Sequence, residues 1–275
     1  MLKIGIRGHD VCKANIEEFA KKVSEKGFSF VQLVLQKAFT NDDGLLDSKK
    51  VEEINEAFSK YNVNVAMLGA YFNPFHSNKN KVATCVSKFQ NHLKYAASLN
   101  STLVGTETGS YNDDKWTYHE YNYTEVAYET NLTIFEDLVK VAQVYGANVA
   151  IEGAYHHCMG NPKMLNRLVR ELNSDNVKVI VDLYNYLYIG NHEQRNEIFK
   201  EAISLMKDKI VLFHLKDYKV ENGKLVQVGL GQGLMDFPFI IKTIKENFTD
   251  AFLIFEGVTG DDIDTSVSYI KSLVE

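Results

Sequence analysis

The sequence predicts one (β/α)8 barrel, a TIM barrel, over the whole chain. Three observations carry the prediction. The length of 275 residues suits one such barrel, for which about 250 residues is usual. Eight short apolar runs alternate with longer segments of helical spacing. No Gly/Ser/Pro-rich linker interrupts them and proline occurs only three times, so residues 1–275 read as a single domain.

The eight runs cover residues 3–7, 29–35, 63–68, 103–106, 148–152, 177–182, 210–214 and 251–256. Each is rich in Val, Ile, Leu or Phe and short enough to be a strand. Helical spacing fills residues 16–23, 51–58, 82–99, 130–145, 164–172 and 239–244. Gly27 and Gly146 follow two of these segments, as C-terminal caps do. Strand-then-helix order throughout favours a closed parallel barrel. An open doubly wound sheet is the alternative. Its GxGxxG fingerprint is absent, because the turn after the first strand reads Gly5-Ile6-Arg7-Gly8-His9-Asp10. Two segments break the alternation. Residues 109–122 form a polar, aromatic-rich loop after the fourth strand. Residues 218–237 contain Glu221-Asn222-Gly223-Lys224, and Asn-Gly signals a two-residue hairpin. We expect that hairpin over the mouth of the barrel.

Hydrophobic residues make up 45% and charged residues 24% of the chain, which allows a sizeable core. The net charge is -6. A duplex-binding surface has to neutralise phosphates and is normally basic, so no nucleic-acid partner is expected. Cys12, Cys85 and Cys158 form no CxxC pair. Reduced thiols fit a cytoplasmic location. Met1-Leu2-Lys3-Ile4-Gly5 reads as a strand and not as a signal peptide. No apolar run reaches the ~18 residues of a membrane span, so no membrane partner is expected.

Barrel chemistry sits where the strands end. The last four runs end on Glu152, Asp182, His214 and Glu256. Residues i and i−2 of a strand share a face, so these four share theirs with Ala150, Ile180, Leu212 and Ile254. If that face is the interior, the polar groups converge at the top of the barrel. Three carboxylates there would repel one another unless one took a proton or a cation sat between them. One divalent ion held by Glu152, Asp182, His214 and Glu256 resolves the conflict. The oxygen-rich set favours Mn²⁺ or Mg²⁺, and the histidine admits Zn²⁺, Co²⁺ or Fe²⁺. The plainer reading is a set of strands that each end on a solvent-facing polar residue.

Further candidates surround this set. Lys216 lies one step beyond His214 and could hold an oxyanion or a substrate hydroxyl; alternatively it is a solvated lysine paired with Asp217. Of His156 and His157, spacing favours His157 facing the site. Glu107 ends the fourth strand, Asn73 and His76 follow the third, and Arg7 and His9 follow the first; these are candidate substrate contacts. Cys158 reads better as a buried cysteine than as a nucleophile. Gly229-Leu230-Gly231-Gln232-Gly233 is a conceivable phosphate cradle, but a tight turn into the next helix is the better reading.

Ala150-Ile151-Glu152, Val181-Asp182-Leu183-Tyr184-Asn185, His214-Leu215-Lys216-Asp217 and Ile254-Phe255-Glu256-Gly257 resemble the xylose isomerase-like barrel superfamily. So does Gly229-x-Gly-Gln-Gly-x-x-Asp236-Phe237. The chain is most similar to its sugar phosphate isomerase/epimerase group, over nearly its whole length. The resemblance implies a small-molecule carbohydrate substrate and a homodimer. It maps Glu152, Asp182, His214 and Glu256 onto the metal ligands of the ketose 3-epimerases. In those enzymes the two glutamates also act as base and acid, which implies catalytic roles for Glu152 and Glu256. Two positions depart from that pattern. Cys158 stands where those enzymes have a glutamate and Asn185 where they have a histidine, both of which bind sugar there. Asn185 is nevertheless a substrate-binding candidate by position.

The expected chemistry is isomerisation or epimerisation of a sugar or sugar phosphate. A proton moves between the two glutamates by way of an enediolate. Three alternatives share the fold: an inosose-type dehydratase, a non-catalytic sugar-binding protein, and an endonuclease IV-like phosphodiesterase. The last is disfavoured by Asn185, by the lack of an Asp-x-His pair after His214, and by the acidic charge balance.

Overall fold

The computed structural model describes residues 2–275. Its strands are β1 (Lys3–Arg7), β2 (Phe30–Leu33), β3 (Asn64–Gly69), β4 (Leu103–Glu107), β5 (Asn148–Glu152), β6 (Val177–Asp182), β7 (Ile210–Leu215), β8 (Asp217–Glu221), β9 (Lys224–Val228) and β10 (Phe252–Phe255). Eight of them form a closed parallel barrel: β1 through β7 in order, then β10, which pairs back onto β1. The expected (β/α)8 barrel is therefore present. β8 and β9 stand apart as an antiparallel ribbon.

The helices are α1 (Ile16–Glu25), α2 (Leu35–Ala38), α3 (Ser48–Lys60), α4 (Lys79–Tyr95), α5 (Glu125–Tyr145), α6 (Pro162–Leu172), α7 (Arg195–Met206), α8 (Phe237–Asn247) and α9 (Asp262–Val274). Local chemistry fixes their starts. The side chains of Asn15, Asp47, Asn78, Thr124, Asn161 and Asp236 each accept a bond from a backbone N–H of the following turn. Such caps satisfy donors that a helix leaves free. Gly146 ends α5 at φ 64°, in the left-handed region. None of these helices is long and apolar enough to cross a membrane.

Three helices escaped the sequence reading: the four-residue α2, α7 and α9. In α7, Ile198, Phe199, Ala202, Ile203 and Met206 recur at helical spacing, so the signal was present. In α9, serine, threonine and β-branched residues dilute it. Strand β2 stops at Leu33, short of the expected 35, because Leu35 opens α2. Strand β4 ends on Glu107, one residue past its apolar run and where the strand-end reading puts it.

The core has two layers. The larger lies between barrel and helices. The smaller fills the barrel and includes Met67, Leu103, Ala150, Ile180, Leu212 and Ile254. Gly105 belongs to this inner layer, where a Cβ would collide with the Met67 side chain. Ile180, Leu212 and Ile254 are fully buried, and truncating one to alanine costs about 2–5 kcal/mol.

The hairpin is where the sequence put it. Glu221 pairs with Lys224, which leaves Asn222 (φ 51°) and Gly223 (φ 72°) as a two-residue turn. Both central residues need positive φ, which Asn-Gly supplies. The glycine-rich segment 229–233 closes on the protein's own carboxylate. Gly231 and Gly233 donate to Asp217 Oδ2 at 2.9 Å each, and Tyr218 and Met235 donate to Oδ1 at 2.8 and 2.9 Å. Asp217, fully buried, fills the anion-binding turn itself, which excludes the phosphate-cradle reading.

Candidate metal centre

Alternation carries the core directly into the site. Ala150, Ile180, Leu212 and Ile254 face the barrel interior. Glu152, Asp182, His214 and Glu256, two residues on, share that face at the ends of the strands. They are 1%, 0%, 3% and 9% exposed. Register brings two of them side by side, since Asp182 pairs with His214 across β6 and β7.

Three of the four side chains meet, and Glu256 approaches them at His214. His214 Nδ1 lies 3.0 Å from Glu256 Oε2, 3.4 Å from Glu152 Oε1 and 3.6 Å from Asp182 Oδ2. Ligand atoms of Glu152, Asp182 and His214 all fall within 4.8 Å of one another, a buried group that could hold a metal ion. The other ring nitrogen explains the arrangement. His214 Nε2 is 2.6 Å from Gln32 Oε1, an acceptor, so Nε2 carries the hydrogen and donates. In the neutral ring Nδ1 then presents a lone pair. Among the described residues it has no hydrogen-bond partner.

A lone pair facing three carboxylates demands positive charge. Without a cation the cluster must take up protons. Burial disfavours the His214 cation, yet Glu256, Glu152 and Asp182 outweigh it and lift His214 to about 9. Burial, with help from Glu152 and Glu256 and against Lys216, raises Asp182 to about 6. A divalent cation removes both strains, and the donor set of one imidazole and several carboxylates suits one.

Fixed cations and amides brace the cluster. Lys216 Nζ sits 2.8 Å from Asp182 Oδ2 and 2.8 Å from Glu256 Oε1. It is neither solvated nor paired with Asp217; that alternative is corrected by its burial at 7% exposure. Arg7 donates to Glu256 Oε1 at 2.7 Å and forks onto both oxygens of Asp10. Asp10 in turn accepts from the backbone N–H of Gly257 at 2.6 Å. Asn185 donates to Glu152 Oε1 at 2.6 Å and accepts from Lys216 at 3.2 Å. Burial would raise Glu256, but Lys216, His214 and Arg7 hold it well below the usual carboxylate range.

Above the cluster opens a cavity of about 830 Å³. Arg7, Gln32, Tyr71, Glu107, His157, Asn185 and Glu256 are among its lining residues, and Gly223, Lys224 and Leu225 bring the hairpin to its wall. Glu152 and His214 lie one hydrogen bond further in, behind Asn185 and Gln32. Burial raises the Glu107 carboxyl to about 7, and its Oε1 is 3.8 Å from His157 Nδ1. Burial also lowers His157 to about 4, so the ring is neutral. Both His156 and His157 line the cavity, and His157 is the more buried at 4% exposure.

Some expected contacts lie elsewhere. His76 is not among the cavity-lining residues. Its Nδ1 accepts from Asn78 N and its Nε2 lies 3.3 Å from Asp114, so it ties down the loop before α4. The Asn73 side chain donates to the backbone oxygens of Ser110 and Asp113 and accepts from the backbone N–H groups of Ser110 and Phe75, which clamps the 109–122 loop. Cys158 is fully buried in the outer core, its thiol pushed up to about 12 by burial.

The sequence reading missed Gln32 and Tyr71. Gln32 donates to the Tyr71 hydroxyl at 2.7 Å, so Tyr71, Gln32 and His214 form one chain. The signal that finds Gln32 is the alternation already applied to the last four strands. Phe30 packs against the inner core, and Gln32 follows it by two.

Comparison with known proteins completes the description of the site. Residues 20–273 match a family described as xylose isomerase-like TIM barrel. An uncharacterized protein of Methanocaldococcus jannaschii is 20% identical over 279 aligned positions, covering 100% of this chain and 90% of that one. A D-tagatose 3-epimerase-like protein superposes with a TM-score of 0.78 at 18% identity, covering 99% of this chain and 97% of its own. A xylose isomerase-like TIM barrel protein from Mycobacterium smegmatis, in complex with magnesium, gives 0.74 at 14% identity, covering 94% and 87%. The probable 3-DHS dehydratase AsbF from Bacillus anthracis gives 0.70 at 12% identity, covering 100% and 99%.

Proposed function

The chain belongs to the xylose isomerase-like TIM barrel family, and from that premise we propose that it is a divalent-metal-dependent isomerase or epimerase of a sugar or sugar phosphate. The observation that carries the reading is the partnerless Nδ1 of His214 facing Glu152, Asp182 and Glu256. These four residues hold the ion, with Mn²⁺ favoured by the oxygen-rich set. Bound there, a divalent cation supplies Lewis-acid stabilisation of negative charge developing on a substrate carbonyl oxygen.

The chain's own groups do the rest. Glu152 and Glu256 stand on different strands, so they can address opposite faces of a carbon next to the carbonyl. One takes a proton from that carbon and the other returns one, through an enediolate. Lys216 and Arg7 hold Glu256 ionised, which suits it as a ligand to a cation. After a turnover the two carboxyls have traded protonation states, and solvent resets them. Asn185, Glu107 and His157 are placed to bind hydroxyls. The neutral His157 ring can accept or donate without adding charge.

Proton NMR in D₂O over ketoses, aldoses and their phosphates tests the reading, after metal analysis of the purified protein. Deuterium should enter one substrate carbon. Glu152→Gln and Glu256→Gln should each lower that exchange by at least about 10²-fold. Wild-type exchange in either variant sinks the assignment.

A dehydratase is the second reading. The observation favouring it is Glu107, whose carboxyl holds a proton near neutral pH and could hand it to a departing hydroxyl. An inosose that loses water, with no isomer formed, decides for this reading.

A further inference from the structure

The cavity is larger than a monosaccharide needs. A free hexose, with twelve heavy atoms, needs at most roughly 360 Å³, counting about 30 Å³ per water-sized group. The cavity holds about 830 Å³. Strand-end polar groups line its floor, but the outer part is made by loops and is largely apolar. Trp116, Leu187, Tyr188, Ile189 and Leu225 lie there.

Two of these residues are held in unusual ways. Tyr188 ends a stack of tyrosines. Its ring lies 4.1 Å from Tyr155 at 13°, and Tyr155 lies 5.9 Å from Tyr118 at 16°. Of the three, Tyr188 is the one that lines the cavity. The stack fixes its plane before any ligand arrives, which lowers the ordering cost of binding. Trp116 has φ 46°, a backbone region that bulky side chains rarely adopt. Its ring meets His157 edge-on at 5.3 Å and 69°. A strained aromatic kept at a cavity wall points to a binding role.

The cavity lining also carries hydrogen-bonding groups. Lys37 and Lys224 are exposed and line the cavity, as does His156. Flat apolar faces edged by donors match a sugar ring, with its C–H faces and hydroxyl rim.

We propose that the outer cavity binds a second sugar ring, glycosidically linked to the sugar that reacts at the floor. The substrate is then a glycosylated ketose and not a free monosaccharide. The inference rests on the isomerase reading for the identity of the inner sugar.

Trp116 is the single tryptophan of the chain, so its fluorescence reports this subsite directly. The Mn²⁺-loaded protein is titrated with D-fructose, lactulose and isomaltulose. We expect at least one disaccharide to bind about tenfold more tightly than D-fructose and to change Trp116 emission. Tyr188→Ala should erase that preference and leave D-fructose affinity unchanged, while Tyr188→Phe should keep it. Equal affinity for all three sugars, no response to any, or equal weakening of all by Tyr188→Ala overturns the proposal. Deuterium exchange is read separately on the same samples. A disaccharide preference without exchange keeps the subsite and removes the isomerase reading. Exchange on D-fructose without a disaccharide preference does the reverse.

Discussion

At the scale of single residues, the site is governed by which nitrogen of His214 holds a proton. Gln32 accepts from Nε2 and so turns Nδ1 toward the carboxylates. Gln32→Leu would remove that acceptor and free the ring to flip or change tautomer. We expect metal affinity to fall by about 10–100-fold, measured by calorimetry, while the far-UV spectrum stays unchanged. An unaltered affinity would show that packing alone orients the ring. The same residue sets a pH dependence. In the metal-free protein His214 rises from 6.5 to about 9. Its protonation contributes stability that is fully present below pH 6.5 and is lost as pH climbs through about 9. Metal binding needs the deprotonated ring, so between pH ~6, above which Asp182 is ionised, and pH ~9 affinity should rise by about tenfold per pH unit and then level off. Calorimetry in buffers of different ionisation enthalpy would count the released proton. Much of this site was legible, because ligand-type residues at strand ends follow from alternation. The partners were less so. Nothing local to Arg7 reveals that it meets Glu256, which is 249 positions away, and Lys216 next to Asp217 suggests a local pair that the strand's alternation forbids.

At the scale of elements, turns and caps were written most plainly. Asn222-Gly223 gave the hairpin its length and register, because few residue pairs tolerate two positive φ values in a row. The segment 229–233 was harder to read. Its glycines signal backbone that approaches something closely, but the sequence does not say whether the guest is a ligand or the chain itself. Here it is Asp217, with four backbone N–H donors around it. Asp217→Ala would strand those buried donors at a cost of about 3 kcal/mol. A chain of this size should then melt roughly 6–12 °C lower. Calorimetric scanning measures it, and a shift under about 2 °C would mean that solvent reaches the amides. Helices α7 and α9 show the other limit. Apolar spacing identifies a helix only where polar, β-branched residues do not blur it.

At the scale of the whole molecule, the closed barrel was foreseeable from the count of strand-then-helix units. Barrel closure supplies what no single unit can, since the cluster draws side chains from β5, β6 and β7 and from the residue after β10. Filling the site should therefore stabilise the entire fold. At a metal concentration about 1,000 times its Kd, binding adds about 4 kcal/mol, or roughly 8–16 °C of melting temperature. A chelator should remove that gain and excess Mn²⁺ should restore it, as a thermal shift assay would show. A melting point indifferent to both would argue against a resident ion. Closure also has a consequence in time. Strand β1 is the first of the barrel to be synthesised and β10 the last, and Arg7 and Asp10 grip Glu256 and Gly257 across the seam between them. A nascent chain that has not yet made β10 lacks one member of the proposed ligand set and both seam contacts. Metal capture should therefore be a late event that marks the moment the ring is joined.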